Sequence, residues 1–348
     1  MTRSFSPRKL LLPLVPAYRL ALLLRELRLG SRFEPVRRLR WPVVSIGNLS
    51  TGGAGKTPLT IALARALAQR GLPVDVLSRG YGRTYSNPAQ RPARVDPDGT
   101  AAEFGDEPLL IARQTGVPVY VAGQRFEAGL LAEAEAPAGV SSVDLPAVHL
   151  LDDGFQHRQL YRDVDILLLD GRDWLRDGLL PAGNLREPVA AARRATVIAI
   201  PAPEGAPELE TALRAWGFDG TVWRLHRKME VPSVDGSVAA FCGIARPEQF
   251  FAGLEAAGLH IAARLAFPDH HRYTPADMKR LVTAARRTGA TAFVTTEKDQ
   301  VRLGTLSDAF PESLPLKTAS LRVEIEHEDE AIEWLVGRLS SVPQHPPL

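Results

Sequence analysis

Ser50-Thr51-Gly52-Gly53-Ala54-Gly55-Lys56-Thr57 constrains this chain more than any other stretch of it. The run follows Pro42-Val43-Val44-Ser45-Ile46, which is short and β-branched, and precedes the helix-like Leu59 to Leu67. Strand, glycine loop and helix in that order form the setting of a phosphate-binding loop. The glycines let successive backbone N–H groups turn inward on phosphate oxygens, and the helix N-terminus adds partial positive charge. Residues Ser50 to Thr57 are therefore the candidate nucleotide cradle, with Lys56 reaching the β- and γ-phosphates and the Thr57 hydroxyl offered to Mg²⁺. Ser50 stands where the usual first glycine would be, and Gly47, Gly52 and Gly53 are extra glycines nearby. An ordinary buried turn would leave Lys56 unexplained.

The rest of the chain repeats the same alternation. Short apolar runs at 73–77, 118–121, 147–151, 164–169 and 196–200 are separated by helical stretches such as Leu59 to Gln69 and Glu107 to Gln114. This implies a mainly parallel sheet covered on both faces. Pro201 to Pro207 reads as a linker, after which strand-like and helix-like runs resume. The expected fold is α/β: a P-loop NTPase-type three-layer α/β/α sheet, a second, smaller α/β lobe, and an N-terminal amphipathic helix. The expected boundaries are a basic membrane-associating segment over 1–35, the nucleotide-binding lobe over 36–205, the second lobe over 206–340 and a tail over 341–348.

At 348 residues, 45% hydrophobic and 24% charged, the chain is long enough for two domains and too apolar to be disordered. Its one cysteine, Cys242, excludes a disulfide framework and any cysteine-rich metal site. Charge is uneven. Residues 1–40 carry ten Lys and Arg against Glu26 and Glu34, so this segment is +8 and, with a total of +2, the remainder is −6. Within it Leu20, Leu23, Leu24 and Leu27 share one helical face, with Arg19, Arg25 and Arg28 off that face. Pro13, Pro16 and Arg19 interrupt the apolar stretch and spoil it as a membrane span, and no small-residue cleavage site follows. A basic helix lying on a membrane and a helix docked on the core both fit.

Further motifs supply candidate chemistry. Val148 to His157 is an apolar strand that ends in Asp152-Asp153-Gly154. Carboxylates there suit a P-loop enzyme, which needs them opposite Thr57 to hold Mg²⁺ and orient the attacking group. Neighbours on an extended strand point opposite ways, so one is the better metal ligand and the other a water-holder or acceptor-side group. Ser78 to Arg83 ends the second strand, where Arg79 and Arg83 could clamp phosphate. Gly105-Asp106-Glu107-Pro108 opens a helix. Asp106 is a candidate base for an acceptor hydroxyl, and Glu107 a direct or indirect Mg²⁺ partner; helix capping explains both equally well. In Leu180 to Pro188, Arg186 is placed to stabilise a transferring phosphoryl group or to form a surface pair with Glu187. His270 and His271 are candidates to orient or tune a carboxylate base. Thr296 to Asp299 follows a strand and reads as a base contact or as a helix cap.

In series, Gly47-Asn48 with Gly52 to Pro58, Ser78 to Arg83, Gly105 to Pro108, Leu151 to His157, Leu180 to Pro188, Asp269 to His271 and Thr296 to Asp299 resemble the tetraacyldisaccharide 4′-kinase (lipid A 4′-kinase) family. The likeness extends from about residue 43 to 302, and Ser50 is in keeping with it. It implies transfer of the ATP γ-phosphate to the 4′-hydroxyl of a tetraacyl glucosamine disaccharide 1-phosphate, a lipid acceptor. It implies peripheral attachment at the cytoplasmic face of the inner membrane. Lys56 and Thr57 would then serve ATP and Mg²⁺, Asp153 the metal, and Asp106 with one histidine the acceptor hydroxyl. A P-loop GTPase/ATPase switch or metallochaperone-type module is the alternative, but the chain has no clear Asn-Lys-x-Asp and no Cys-x-x-Cys. A nucleic-acid partner would rest on the +8 segment alone and is not expected.

Overall fold

A computed structural model describes residues 7–31, 34–52, 55–83, 91–137, 147–170, 178–202 and 206–342. Gly53 and Ala54 of the expected cradle, and residues 343–348 of the expected tail, lie outside them. The first strands are β1 (Val43–Asn48), β2 (Val74–Ser78), β3 (Ala93–Arg94), β4 (Val119–Val121), β5 (Val148–Asp152) and β6 (Val164–Leu168). They are followed by β7 (Val197–Ala202), β8 (Thr221–Glu230), β9 (Ser237–Cys242), β10 (His260–Ala266), β11 (Ala292–Thr296) and β12 (Leu316–Ile325). Among the described residues these form one 12-stranded sheet, ordered β10-β9-β11-β12-β8-β7-β6-β1-β5-β2-β4-β3. Only β12–β8 and β3–β4 pair antiparallel; the other neighbours are parallel. The sheet runs unbroken past residue 205, because β7 pairs with β8 and β8 pairs with β12.

Burial on both faces explains the apolar runs. Every residue of β1, β5 and β6 is buried, and a strand covered on both sides cannot alternate polar with apolar. On one face Leu59, Leu63 and Leu67 of the Lys56–Gln69 helix join Ile46, Val148 and Leu150, with Leu335 and Leu339 of the C-terminal helix. Burying each such leucine fully contributes about 1.5–3 kcal/mol. On the other face Leu49, Phe155, Leu167, Leu179 and Leu185 form a second cluster. Parallel pairing in register, with Ile46 beside Asp152 and Leu77 beside Leu151, brings the carboxyl ends of β1, β5 and β2 to one edge. Ligands of open α/β sheets bind outside that edge.

Near the opposite edge, wholly buried His149 meets the two Asp75 oxygens at 2.8 and 2.9 Å through Nδ1 and Glu133 at 3.4 Å through Nε2. Burial works to lower the imidazole, but Asp75 and Glu133 outweigh it and push it up to about 9. Burial likewise raises Asp75; a carboxylate at each ring nitrogen, Asp75 at Nδ1 and Glu133 at Nε2, favours the imidazolium. A group raised on folding stabilises fully below its unfolded pKa of about 6.5 and loses that contribution as pH climbs through the folded value. The melting temperature should therefore fall between pH 7.5 and 9.5 by more in the wild type than in His149→Gln. Equal slopes in a calorimetric pH series would contradict the charged triad.

Candidate active site

The donor side grows from the end of β1. Asn48 Oδ1 accepts from Lys56 Nζ at 3.0 Å and from Arg186 Nη2 at 2.7 Å, and Asn48 Nδ2 donates to the Ser50 hydroxyl at 3.2 Å. Gly55 takes φ +91° just before the helix that Lys56 and Thr57 begin, and Thr57 is buried. Gly47 is needed for a different reason. A Cβ there would lie 2.5 Å from Phe155 Cβ and 2.7 Å from its backbone nitrogen, so only glycine lets the turn after β5 close over β1.

That turn parts the two carboxylates. Asp152, still on β5, accepts from the Thr60 hydroxyl at 3.1 Å and is pushed up to about 7 by burial and by the Glu107 and Asp153 carboxylates. Asp153 takes φ +49°, in the left-handed region that side chains rarely adopt. It thereby faces the loop, 3.5 Å from Lys56 Nζ, and receives both arms of Arg186 at 2.9 and 3.1 Å. Burial opposes its ionisation, but Lys56 and Arg186 outweigh burial and hold it well below the usual carboxylate range. Arg186 also donates to the Ser50 carbonyl at 3.2 Å, and its own N–H donates to the Leu49 carbonyl at 2.7 Å. The Leu180 to Pro188 loop is thus laced to the cradle.

The facing wall is built on the turn before the Asp106–Thr115 helix. Gly105 has φ +91°, and a Cβ there would strike the Tyr81 carbonyl at 2.7 Å, so the Ser78 to Arg83 loop packs directly on this turn. Asp106 Oδ2 meets His270 Nδ1 at 3.0 Å and accepts from Arg302 at 2.6 and 2.5 Å. Burial works against its charge, yet the His270 hydrogen bond and Arg302 keep it well below the usual range. His270 is raised chiefly by the Asp106 hydrogen bond, and its backbone has φ +57°. Two non-glycine residues in a rarely populated conformation, one on each wall, mark where the fold holds local strain. Glu107 pairs with Lys298; burial opposes the carboxylate charge, but Lys298 lowers Glu107.

Thr296 caps the Glu297–Leu303 helix by accepting from the Asp299 N–H at 3.1 Å. Wholly buried Asp299 accepts from the Gly243 N–H, the Tyr273 hydroxyl and Arg302 at 2.9 to 3.0 Å. His271 is placed differently from His270: it contacts Asp277 at 3.1 Å and stacks on Phe267 at 4.7 Å. Alanine at His271 is expected to leave turnover within about twofold, while alanine at His270 lowers it at least about tenfold, measured as initial rates at saturating substrate. Equal losses would remove the distinction.

Among the expected residues, the structure gathers Ser50, Lys56, Thr57, Asp152, Asp153 and Arg186 on one wall and Asp106, Glu107 and His270 on the other. Lys56 helps lower Glu107, and Glu107 helps raise Asp152, so the walls face one another. Thr51 is tied to the Asn184 carbonyl by its N–H at 2.7 Å, and Gly52 lies 3.3 Å, at a notional Cβ, from Ala245 Cβ. Arg83 turns to the Glu103 carbonyl at 2.8 Å rather than inward. Sequence reasoning missed Arg302 and Arg125. Arg302 was detectable three residues after Asp299, on the same helical face. Buried Arg125 is pushed down to about 10, first by burial and then by Arg79, and feels Asp153 and Asp152.

A glycine cradle at the carboxyl edge of a parallel sheet, with paired Lys and Arg on a carboxylate and an Asp–His pair opposite, defines a P-loop phosphotransferase. The family model described as tetraacyldisaccharide-1-P 4′-kinase matches residues 7–340. The chain is 41% identical over 313 residues to a tetraacyldisaccharide 4′-kinase of Koribacter versatilis, covering 86% of this chain and 89% of that protein. It is 38% identical over 342 residues to one of Chromobacterium violaceum, covering 95% and 94%. A crystal structure of LpxK from Aquifex aeolicus in complex with ATP superposes with a TM-score of 0.70 at 30% identity, over 96% of this chain and 99% of that one. The chain belongs to the tetraacyldisaccharide-1-P 4′-kinase family.

Proposed function

We propose that this kinase moves the γ-phosphate of ATP to the 4′-hydroxyl of a tetraacyl disaccharide 1-phosphate at a membrane surface. One observation carries the reading. Lys56, Arg186 and Asp153 form a single charged cluster on the cradle, and the Asp106–His270 pair stands across the cleft, where it would receive the acceptor proton. Lys56 would meet the β- and γ-phosphates, and Arg186 would exchange part of its grip on Asp153 for the charge of the transferring phosphoryl group. Asp106 is ionised and aligns His270 through Nδ1, so the pair can draw the proton from the hydroxyl as it attacks.

Among the described residues no three His, Cys, Asp or Glu side chains converge as a metal nest. The oxygen donors Thr57, Asp153 and Glu107 still suit Mg²⁺, which takes one or two protein ligands and completes its shell with phosphate and water. The crowding of Glu107 and Asp153 on Asp152 is negative charge that such an ion would offset. Thr57 and Asp153 would hold it, with Glu107 beside them, and when bound it neutralises charge on the phosphates.

The membrane reading rests on the N-terminal segment. Val15, Tyr18 and Leu22 of the Val15–Arg28 helix turn partly inward at helical spacing, while Leu20, Leu23 and Leu27 are 58%, 59% and 75% exposed. Leu10, Leu12 and Leu14 extend the apolar patch, and Arg19, Arg25 and Arg28 border it. No helix among the described residues is long and apolar enough to cross a membrane. An anionic bilayer fits this combination of apolar face and basic flank. The test pairs two assays. Label should pass from γ-labelled ATP to the disaccharide acceptor, with Lys56→Ala inactive; transfer that is absent, or unaffected by that change, defeats the kinase reading. Flotation on anionic vesicles should weaken about tenfold or more in Leu20→Glu/Leu27→Glu, since each lost leucine forfeits burial of about 1.5–3 kcal/mol. Unchanged flotation would count against the surface.

A further inference from the structure

The same N-terminal helix touches the cleft at points that membrane attachment does not require. The Tyr18 hydroxyl donates to the Arg186 backbone carbonyl at 2.8 Å. Arg25 donates to the Gln156 carbonyl, and Glu26 pairs with Arg158. In the preceding turn Arg8 donates to the Asn184 side chain at 2.5 Å. Gln156 in turn donates through Nε2 to the Asn48 carbonyl at 2.9 Å. These contacts fall on two loops, those of Tyr18 and Arg25 on backbone carbonyls: the loop that presents Arg186 and the one that presents Asp153. Both loops converge on Asn48 and the start of the cradle.

Tyr18 is well suited to such a role. It packs, partly buried, against the second core cluster, so its ring is held by apolar contact. Burial and the Glu187 carboxylate raise its phenol, which keeps the hydroxyl protonated and a donor. A planar guanidinium that bridges Asp153, Asn48 and the Ser50 carbonyl tolerates little displacement, because each of its arms is aimed. Misplacement by about 1 Å is enough to cost up to about a hundredfold in rate.

We propose that the N-terminal helix is a positioning element of the phosphoryl-transfer site, and that Tyr18 acts as the positioning residue that holds the Arg186 loop against the cradle. This rests on the kinase reading above. It makes the membrane-facing helix part of the active-site scaffold, so the surface that carries the acceptor and the arginine that meets the phosphoryl group are joined by one side chain.

The experiment uses the full chain and vesicles that contain the acceptor. Tyr18→Phe keeps the ring and its packing and removes only the donor. Its kcat should fall about tenfold, with KM for ATP within about twofold and vesicle flotation unchanged. The second arm is a cycle with Arg186→Lys: the Tyr18→Phe loss should shrink to less than about twofold once the aimed guanidinium is gone. A kcat within twofold of wild type, or a full tenfold loss in both backgrounds, overturns the inference. So does a rate loss that merely tracks lost flotation. If the wild type transfers no phosphate, the kinase reading falls and takes the inference with it; if the wild type is active and Tyr18→Phe is indistinguishable from it, only the inference falls.

Discussion

Asp106→Asn is expected to lower turnover about 10²–10⁴-fold while ATP affinity stays within about threefold. The side chain is isosteric, so the N-terminal turn of its helix and the 3.0 Å acceptance of the Glu107 N–H at Oδ1 can persist. What disappears is the charge. Asp106 holds His270 and the two arms of Arg302 with a single oxygen, Oδ2, and an amide nitrogen at that place would confront donors. His270 would lose the interaction that raises it, and the cleft would lose the acceptor for a departing proton. The proposed nucleotide contacts lie on the opposite wall, so single-turnover rates and equilibrium nucleotide binding should separate cleanly. Parallel loss of both would mean that Asp106 supports the cradle instead.

Arg186→Ala should be comparably damaging, on the order of 10³-fold in kcat, within the range expected when an arginine that stabilises transferring phosphoryl charge is removed. Two effects add. The developing charge loses its donor, and Asp153 loses its two-armed partner and is left with Lys56 at 3.5 Å. Lysine at this position restores charge but not the planar fork, so Arg186→Lys is expected to recover only part of the rate, roughly ten- to a hundredfold below wild type. Steady-state rates with saturating ATP decide the matter: an alanine variant within tenfold of wild type would place Arg186 outside the chemistry.

Both variants test residues that were visible in the sequence, and it is instructive why. The central strands stand out because burial on both faces makes them short, mostly apolar runs. The Pro275–Thr288 helix reads to its ends because Thr274 and Asp277 form a capping box and Gly289 stops it. The Arg125–Glu135 helix escaped notice: Gln124 offers no side-chain cap, and Gly129 interrupts the middle. β8 is longer than its apolar centre suggests, since His226 to Glu230 go on pairing with β12 although they are half-exposed or exposed.

The site divides along the same line. Asp152 and Asp153, or Lys56 and Thr57, announce themselves through local spacing that chemistry demands. The choice between His270 and His271 does not, because it turns on a backbone at φ +57° that no neighbouring residue type dictates. Arg302 reaches Asp106 across 196 residues of chain. Only the strand order brings such partners together, and that order is decided by packing between distant segments rather than by any local pattern.

The unbroken sheet has a consequence for what evolution and engineering can do with this molecule. β7 reaches its full complement of hydrogen bonds only by pairing with β8, and β8 only by pairing with β12. A cut after residue 205 would leave β7 with a raw edge of unpaired N–H and C=O groups, an invitation to pair with another chain. The half that carries the glycine cradle and the half that supplies Arg302 and His270 therefore share one continuous sheet and depend on each other for its closure.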